Sequence, residues 1–314
     1  MEKINYGGWP NCIRMSNDSI ELIATTDVGP RIIRFGFIGK DNEFWEDTAQ
    51  LGKSGANEWV GYGGHRFWIA PEAKPKTYHP DNEPINHKIV GKTLKLIPPV
   101  ESTTGIQKEV DITLDPKGSH AKVVHKITNY NPFTIELAPW PLTVMNSGGK
   151  LIFPNEPYFP HPDMLEYPGQ KVLPKHFLPV RSISLWPYTK LSDPRWKFTD
   201  KYIILRQDST IVKPQKIGIT NEQNWGAYGR KGHLFVKKVI FKQGATYPDN
   251  GCVFETYTNS QFLELESLGP LEKLASGASL EHQEDWYLFD GVDFEETDES
   301  IDANILPKVK LALG

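Results

Sequence analysis

The feature that most limits the fold of this chain is the run spanning residues 106–145. Ile106-Gln-Lys-Glu-Val-Asp-Ile-Thr-Leu114 alternates apolar and polar residues, the period-two pattern of a strand with one face buried. Asp115-Pro-Lys-Gly118 then signals a tight turn. Ala121-Lys-Val-Val-His-Lys-Ile-Thr-Asn129 extends again, and Asn129-Tyr-Asn-Pro132 turns into a third extended run over 133–145. Strands joined by such short turns have no room for a helical crossover, so they pair antiparallel. The three together predict a large antiparallel sheet.

Similar runs fill the rest of the chain, at 12–15, 20–26, 31–38, 88–97, 183–186, 202–206, 216–219, 224–229, 233–241, 252–259, 262–267 and 280–289. Periodic arrays of helix formers are scarce, whereas 26 Gly and 25 Pro supply turns throughout. Seven prolines break residues 153–180, which read as an irregular excursion because proline cannot donate to a sheet ladder. Strand signals resume beyond it and neither half looks complete, so residues 1–314 are expected to form a single domain. A tail from about residue 291 is expected to be a short helix or an arm laid on the sheets.

Several classes of function are disfavoured by composition. A formal net charge of -4 gives no basic field for nucleic acid. No apolar run is long enough for a membrane helix, so no membrane partner is expected. No secretion signal opens the chain. The default expectation is a cytoplasmic protein, with a periplasmic or secreted one if a signal was removed. Cys12 and Cys252 are the only cysteines and match no metal spacing, so no metal and no cofactor is expected. No phosphate-binding glycine loop and no serine-hydrolase elbow is found.

Two stretches carry the candidate chemistry. In Trp59-Val-Gly-Tyr-Gly-Gly-His-Arg-Phe-Trp-Ile-Ala-Pro-Glu72, a glycine turn feeds an extended segment. Tyr62, His65, Arg66, Trp68 and Glu72 then form a set of rings and polar groups suited to a sugar, whose C–H faces stack on aromatics. In Phe262-Leu-Glu-Leu-Glu-Ser267, Glu264 and Glu266 share one face of a strand. Like charges that close raise a carboxyl pKa unless a cation intervenes, and a raised carboxyl suits acid–base work. Arg31, Arg34 and Arg66 are the cations within reach. The alternative for each of these residues is a fold-holding contact. Lone strand histidines such as His65, His125 and His282 are more often structural than catalytic.

Taken together, Asp27-Val-Gly-Pro-Arg-Ile-Ile-Arg-Phe-Gly36, Gly63-Gly-His-Arg-Phe-Trp-Ile-Ala-Pro-Glu72, Pro139-Trp-Pro-Leu-Thr-Val-Met145, Glu264-Leu-Glu-Ser-Leu-Gly-Pro-Leu271 and Ser276-Gly-Ala-Ser-Leu-Glu-His-Gln-Glu-Asp-Trp-Tyr-Leu-Phe289 resemble a bacterial group of the galactose-mutarotase-like superfamily. The resemblance covers about residues 10–290. It implies an all-β fold, a large antiparallel β-supersandwich with a concave carbohydrate-binding face. In aldose 1-epimerases of that superfamily a late-strand glutamate is the base at the anomeric hydroxyl, and a mid-chain histidine protonates the ring oxygen. The base looks like Glu266, or Glu264. The mid-chain strand looks like residues 133–146, where Pro139-Trp140-Pro141 stands and no histidine does. The acid then falls to His65 or His125.

These readings predict a sugar epimerase or mutarotase-like enzyme, with Glu266 or Glu264 as base and His65 as acid. Arg66, Trp68, Glu72, Arg34, Trp140 and Tyr62 would bind a mono- or oligosaccharide. A non-catalytic carbohydrate-binding protein using the same cleft is the alternative, and a polysaccharide lyase or glycoside hydrolase a more distant one. The sequence leaves the oligomeric state open.

Overall fold

The computed structural model describes residues 1–164, 171–173 and 176–314. Strand Ile106–Leu114 alternates buried and half-buried positions along its whole length. It pairs antiparallel with His120–Asn129 from Ile106↔Asn129 to Leu114↔Ala121. The third run behaves differently. Strand Ile135–Met145 leaves these two and inserts into the opposite sheet, between His65–Ala70 and Leu263–Ser267. Its last nine residues are all buried, which suits a central strand covered on both faces.

Among the described residues the strands form two sheets of eleven and ten, and every strand pairing is antiparallel. This is the all-β sandwich expected. The centre of the first sheet runs Arg31–Phe37, His65–Ala70, Ile135–Met145, Leu263–Ser267, Phe254–Thr258, Gln215–Ile219. Between the sheets, Phe35, Phe44, Phe235 and Trp286 meet with ring centroids 5.5–5.9 Å apart. Such ring pairs add about 0.5–1.5 kcal/mol each beyond the area they bury.

The run at 88–97 is two strands, Asn86–Val90 and Thr93–Ile97, because Gly91 takes a positive φ of 61° and closes a hairpin. The tail forms two helices, Asp298–Asn304 and Leu306–Leu313. Thr297 caps the first by accepting from the Ser300 amide, and Ile301, Ile305 and Val309 pack onto the second sheet beside Ile152, Ile204 and Val236. Within the proline-rich excursion, Pro168 and Pro174 lie outside the described residues. Strand Lys150–Pro154 reaches into its start.

The glycines at 63 and 64 have φ of 89° and 68°, and a Cβ on either would collide with a backbone carbonyl oxygen, of Trp45 and Ile32 respectively. Only glycine lets this turn approach both segments. The close approach sets where strand His65–Ala70 begins, and so which side chain faces which way.

Candidate sugar-binding site

Strand registers sort the candidate residues onto two faces of the first sheet. One row runs Arg66, Leu142, Glu266, Glu255, Gly218 across five neighbouring strands. The adjacent row runs His65, Thr143, Leu265, Thr256, Ile217. Successive side chains on a strand point to opposite faces, so these rows lie on opposite sides of the sheet. Leu265 and Ile217 belong to the core between the sheets, whereas Trp68, Trp140 and Leu142 form a separate apolar cluster on the other side. Arg66, Trp68, Trp140, Glu264 and Glu266 therefore share the outer face, and His65 does not.

The outer face holds a buried charge network. Arg66 Nη2 donates to Glu264 Oε1 at 2.9 Å, and its guanidinium lies 4.5 Å from the Trp68 ring centroid and 5.4 Å from that of Trp59. Trp140 Nε1 donates to Glu266 Oε2 at 2.8 Å. Lys216 Nζ is 3.1 Å from the same Glu266 oxygen and 2.8 Å from Glu255 Oε2. That ammonium also sits 4.6 Å from the centroids of both Trp140 and Trp186. Gly218 faces Glu255 across the strand pair, and a Cβ there would collide with Cys252 Sγ and crowd Glu255 Cγ.

Glu255 and Glu266 are wholly buried, and Lys216 is 4 % exposed. Burial pushes both carboxyls above the ordinary carboxylate range, against the pull of Lys216. Burial also opposes the charge on Lys216, but Glu266 and Glu255 outweigh it and hold the ammonium above its usual value. One cation serves two carboxylates, which favours retention of a proton between them. Glu255 Oε1 and Glu266 Oε1 have no hydrogen-bond partner among the described residues.

Above this network lies a cavity of about 370 Å³, lined by Trp140, Trp186, Tyr78, Glu72, Lys74 and Asp249 together with Pro71 and Ala73. Glu72 accepts a hydrogen bond from the Tyr78 hydroxyl. Trp68 backs the cavity wall, 4.8 Å from Tyr78 and 5.4 Å from Trp140 between ring centroids. Flat rings beside carboxylates and an ammonium suit the apolar faces and hydroxyls of a sugar.

Three expected residues stand elsewhere. His65 lies between the sheets, its ring 4.7 Å from that of Trp286. Arg34 is held by Glu21 at 2.7 Å and by the Lys40 carbonyl, a fold-holding contact. Tyr62 packs on Trp9 at 5.6 Å and under Arg31 at 5.3 Å, in the small apolar cluster of the N-terminal strands. Arg31 itself pairs with Asp81 at 2.8 Å. The sequence reading missed Lys216, Glu255, Tyr78 and Asp249. The signal for the first two was present: one charged residue inside each of the otherwise uncharged strands Gln215–Ile219 and Phe254–Thr258.

The inner network satisfies itself. His125 Nδ1 must donate to the His282 carbonyl, 3.1 Å away, which leaves its Nε2 to accept. His65 Nε2, 2.7 Å from that atom, is then the donor, and Thr143 Oγ1 donates to His65 Nδ1 at 2.8 Å. Burial holds all three imidazoles below their ordinary value, to about 3 for His125 and His282. His65, His125 and Glu284 offer ligand atoms within 4.8 Å of one another. They do not suit a metal, because Lys237 Nζ already holds Glu284 at 2.9 Å and the two imidazole nitrogens are closer than tetrahedral ligands at about 2.0–2.1 Å from zinc would stand.

No family model and no curated protein sequence matches the chain. Solved structures do. A galactose mutarotase-like protein from Lactobacillus casei superposes with a TM-score of 0.59 at 8% identity, over 89% of this chain and 100% of that one. A candidate aldose 1-epimerase from Klebsiella pneumoniae gives 0.59 at 10%, over 99% and 86%. A candidate mutarotase from Salmonella typhimurium gives 0.53 at 10%, over 89% and 90%. At these identities the likeness is one of architecture: the chain has the galactose mutarotase-like fold.

Proposed function

We propose that this protein binds a carbohydrate in the outer-face cavity, on Trp140 and Trp186, without turning it over. The observation that carries the reading is the burial of Glu266. It has no exposed surface, Trp140 and Lys216 hold one of its oxygens, and it does not line the cavity. Proton transfer needs a group within hydrogen-bond reach of the substrate. The histidines of the central strands, at 65, 125 and 282, are hydrogen-bonded between the sheets, so none of these three is offered as the acid. The buried charges then serve to fix Trp140 and Trp186.

One observation favours a second reading, a mutarotase-like enzyme. Glu266 Oε1 is unpartnered among the described residues, and burial keeps this carboxyl in the range of a general base. It would act once Trp140 moved aside.

Thermal unfolding with a panel of pyranoses, beside NMR of anomeric exchange, separates the two. A raised Tm with exchange no faster than in buffer is expected. If no sugar shifts the Tm, the binding reading falls. If exchange accelerates and Glu266→Gln abolishes the acceleration, the enzyme reading replaces it.

A further inference from the structure

We propose that the cavity is selective for an amino sugar, whose ring rests on Trp140 and Trp186 and whose ammonium is held by Glu72 and Asp249. This rests on the carbohydrate reading above and narrows it to a charge class.

Charge is the first ground. Beneath the floor, Arg66 and Lys216 face three carboxylates, Glu255, Glu264 and Glu266. On the wall, Lys74 is the one cation beside Glu72 and Asp249 among the described lining residues. Even with one proton shared by Glu255 and Glu266, the floor is neutral and the wall negative. A cavity of one sign focuses its field and concentrates ligands of the other. Uronates and sugar phosphates are repelled by the same wall.

The second ground is that neither wall carboxylate is neutralised by an ion pair within the fold. Among the described residues, Glu72 and Asp249 make no ion pair, although acids throughout the surrounding sheet do. Glu72 is oriented instead by the Tyr78 hydroxyl. Its neighbour Lys74 is drawn over the Tyr78 ring, 5.0 Å from the centroid.

The third ground is the backbone at Asp249. Asp249 and Asn250 have φ of 51° and 66°, and Gly251 follows at 97°. Left-handed non-glycine residues are uncommon and persist where surrounding bonds enforce them. Here Ser184 Oγ and Cys252 Sγ both donate to the Asp249 carbonyl, at 2.7 and 3.0 Å, and the Cys252 amide donates to the Pro248 carbonyl at 2.9 Å. The strained turn sets Asp249 at the cavity wall. Indole rings add to the attraction of a cation, as the position of Lys216 between the same two rings illustrates. The volume, about 370 Å³, is near the lower end of small-molecule sites at roughly 300–1,000 Å³, which suits a short ligand.

The test is tryptophan fluorescence or calorimetric titration of the whole chain at low salt and mildly acidic pH. Glucosamine, N-acetylglucosamine, glucose and glucuronate are the probes. Glucosamine is expected to bind about three- to ten-fold more tightly than glucose, since partly exposed ion pairs are individually modest. The preference shrinks with added salt. In Glu72→Gln and Asp249→Asn the ratio of amine to neutral-sugar affinity falls towards one. Glu72 is exposed, so its variant reports even if Asp249→Asn disturbs the turn. Equal binding of glucosamine and its N-acetyl form, or tighter binding of glucuronate, overturns the proposal while leaving carbohydrate binding intact. Absence of binding by every probe overturns both.

Discussion

Trp140 donates its indole N–H to Glu266 at 2.8 Å, from the strand beside it. A ring of the mid-chain strand thus holds the glutamate expected as a base. Trp140→Phe keeps a ring in the cavity and removes the donor. Loss of a bond to a buried charged group should lower stability by about 1–3 kcal/mol, measured by urea unfolding. An unchanged midpoint would show that the bond has no weight.

Lys216 is the cation shared by Glu255 and Glu266. Lys216→Met leaves two buried carboxyls without it. Breaking such a pair typically costs about 3–5 kcal/mol. Adding Glu255→Gln to the same chain should recover part of the loss, because one fewer charge is then stranded. Equilibrium denaturation of the single and double variants checks this, and a double variant no more stable than the single would contradict it.

His65 faces the second sheet, away from the cavity. His65→Gln should weaken the inner network by about 1–3 kcal/mol and leave sugar affinity unaltered. A loss of affinity without loss of stability would place His65 functionally in the cleft, against its position in the sheet.

Stability should fall on both sides of a maximum lying on the acid side of neutral, between about pH 4.5 and 6.5. His125 and His282 are held far below their ordinary value of 6.5, to about 3, so their neutral forms stabilise the fold fully above pH 6.5. That contribution drains away as pH falls from 6.5 towards 3, where the unfolded chain takes protons that the folded chain refuses. Glu255 and Glu266 act in the opposite sense. Their raised values favour folding below the ordinary carboxylate range, and that advantage is lost as pH rises through the folded values. Urea midpoints across pH should trace a peak, and His125→Asn should flatten its acid limb. Between pH 4.5 and 6.5 the two contributions oppose each other, so the imidazole contribution is read below pH 4.5, where the carboxyls are protonated in both states; an acid limb there that His125→Asn leaves unchanged would exclude it.

Much of the site was legible one residue at a time. The alternation in Leu263-Glu-Leu-Glu-Ser267 put Glu264 and Glu266 on one face, and both are there. The same period-two rule places His65 on the face opposite Arg66 and Trp68. Applied within the strand, it already separates the proposed acid from its neighbours. What it cannot reveal is which face of one strand meets which face of another. Arg66 reaches Glu264 across 198 residues of sequence, and Lys216 reaches Glu266 across 50.

The sequence by itself determined an antiparallel all-β chain, most of its strands, and the glycine turn that starts the strand at His65. Those follow from side-chain periodicity and turn chemistry, which are local. Only the tertiary structure decided that Ile135–Met145 crosses to the other sheet, that His65 is sealed with His125 between the sheets, and that Lys216 joins Glu255 to Glu266 under two indole rings. Those are matters of register and stacking between distant strands, where a shift of one residue exchanges every face.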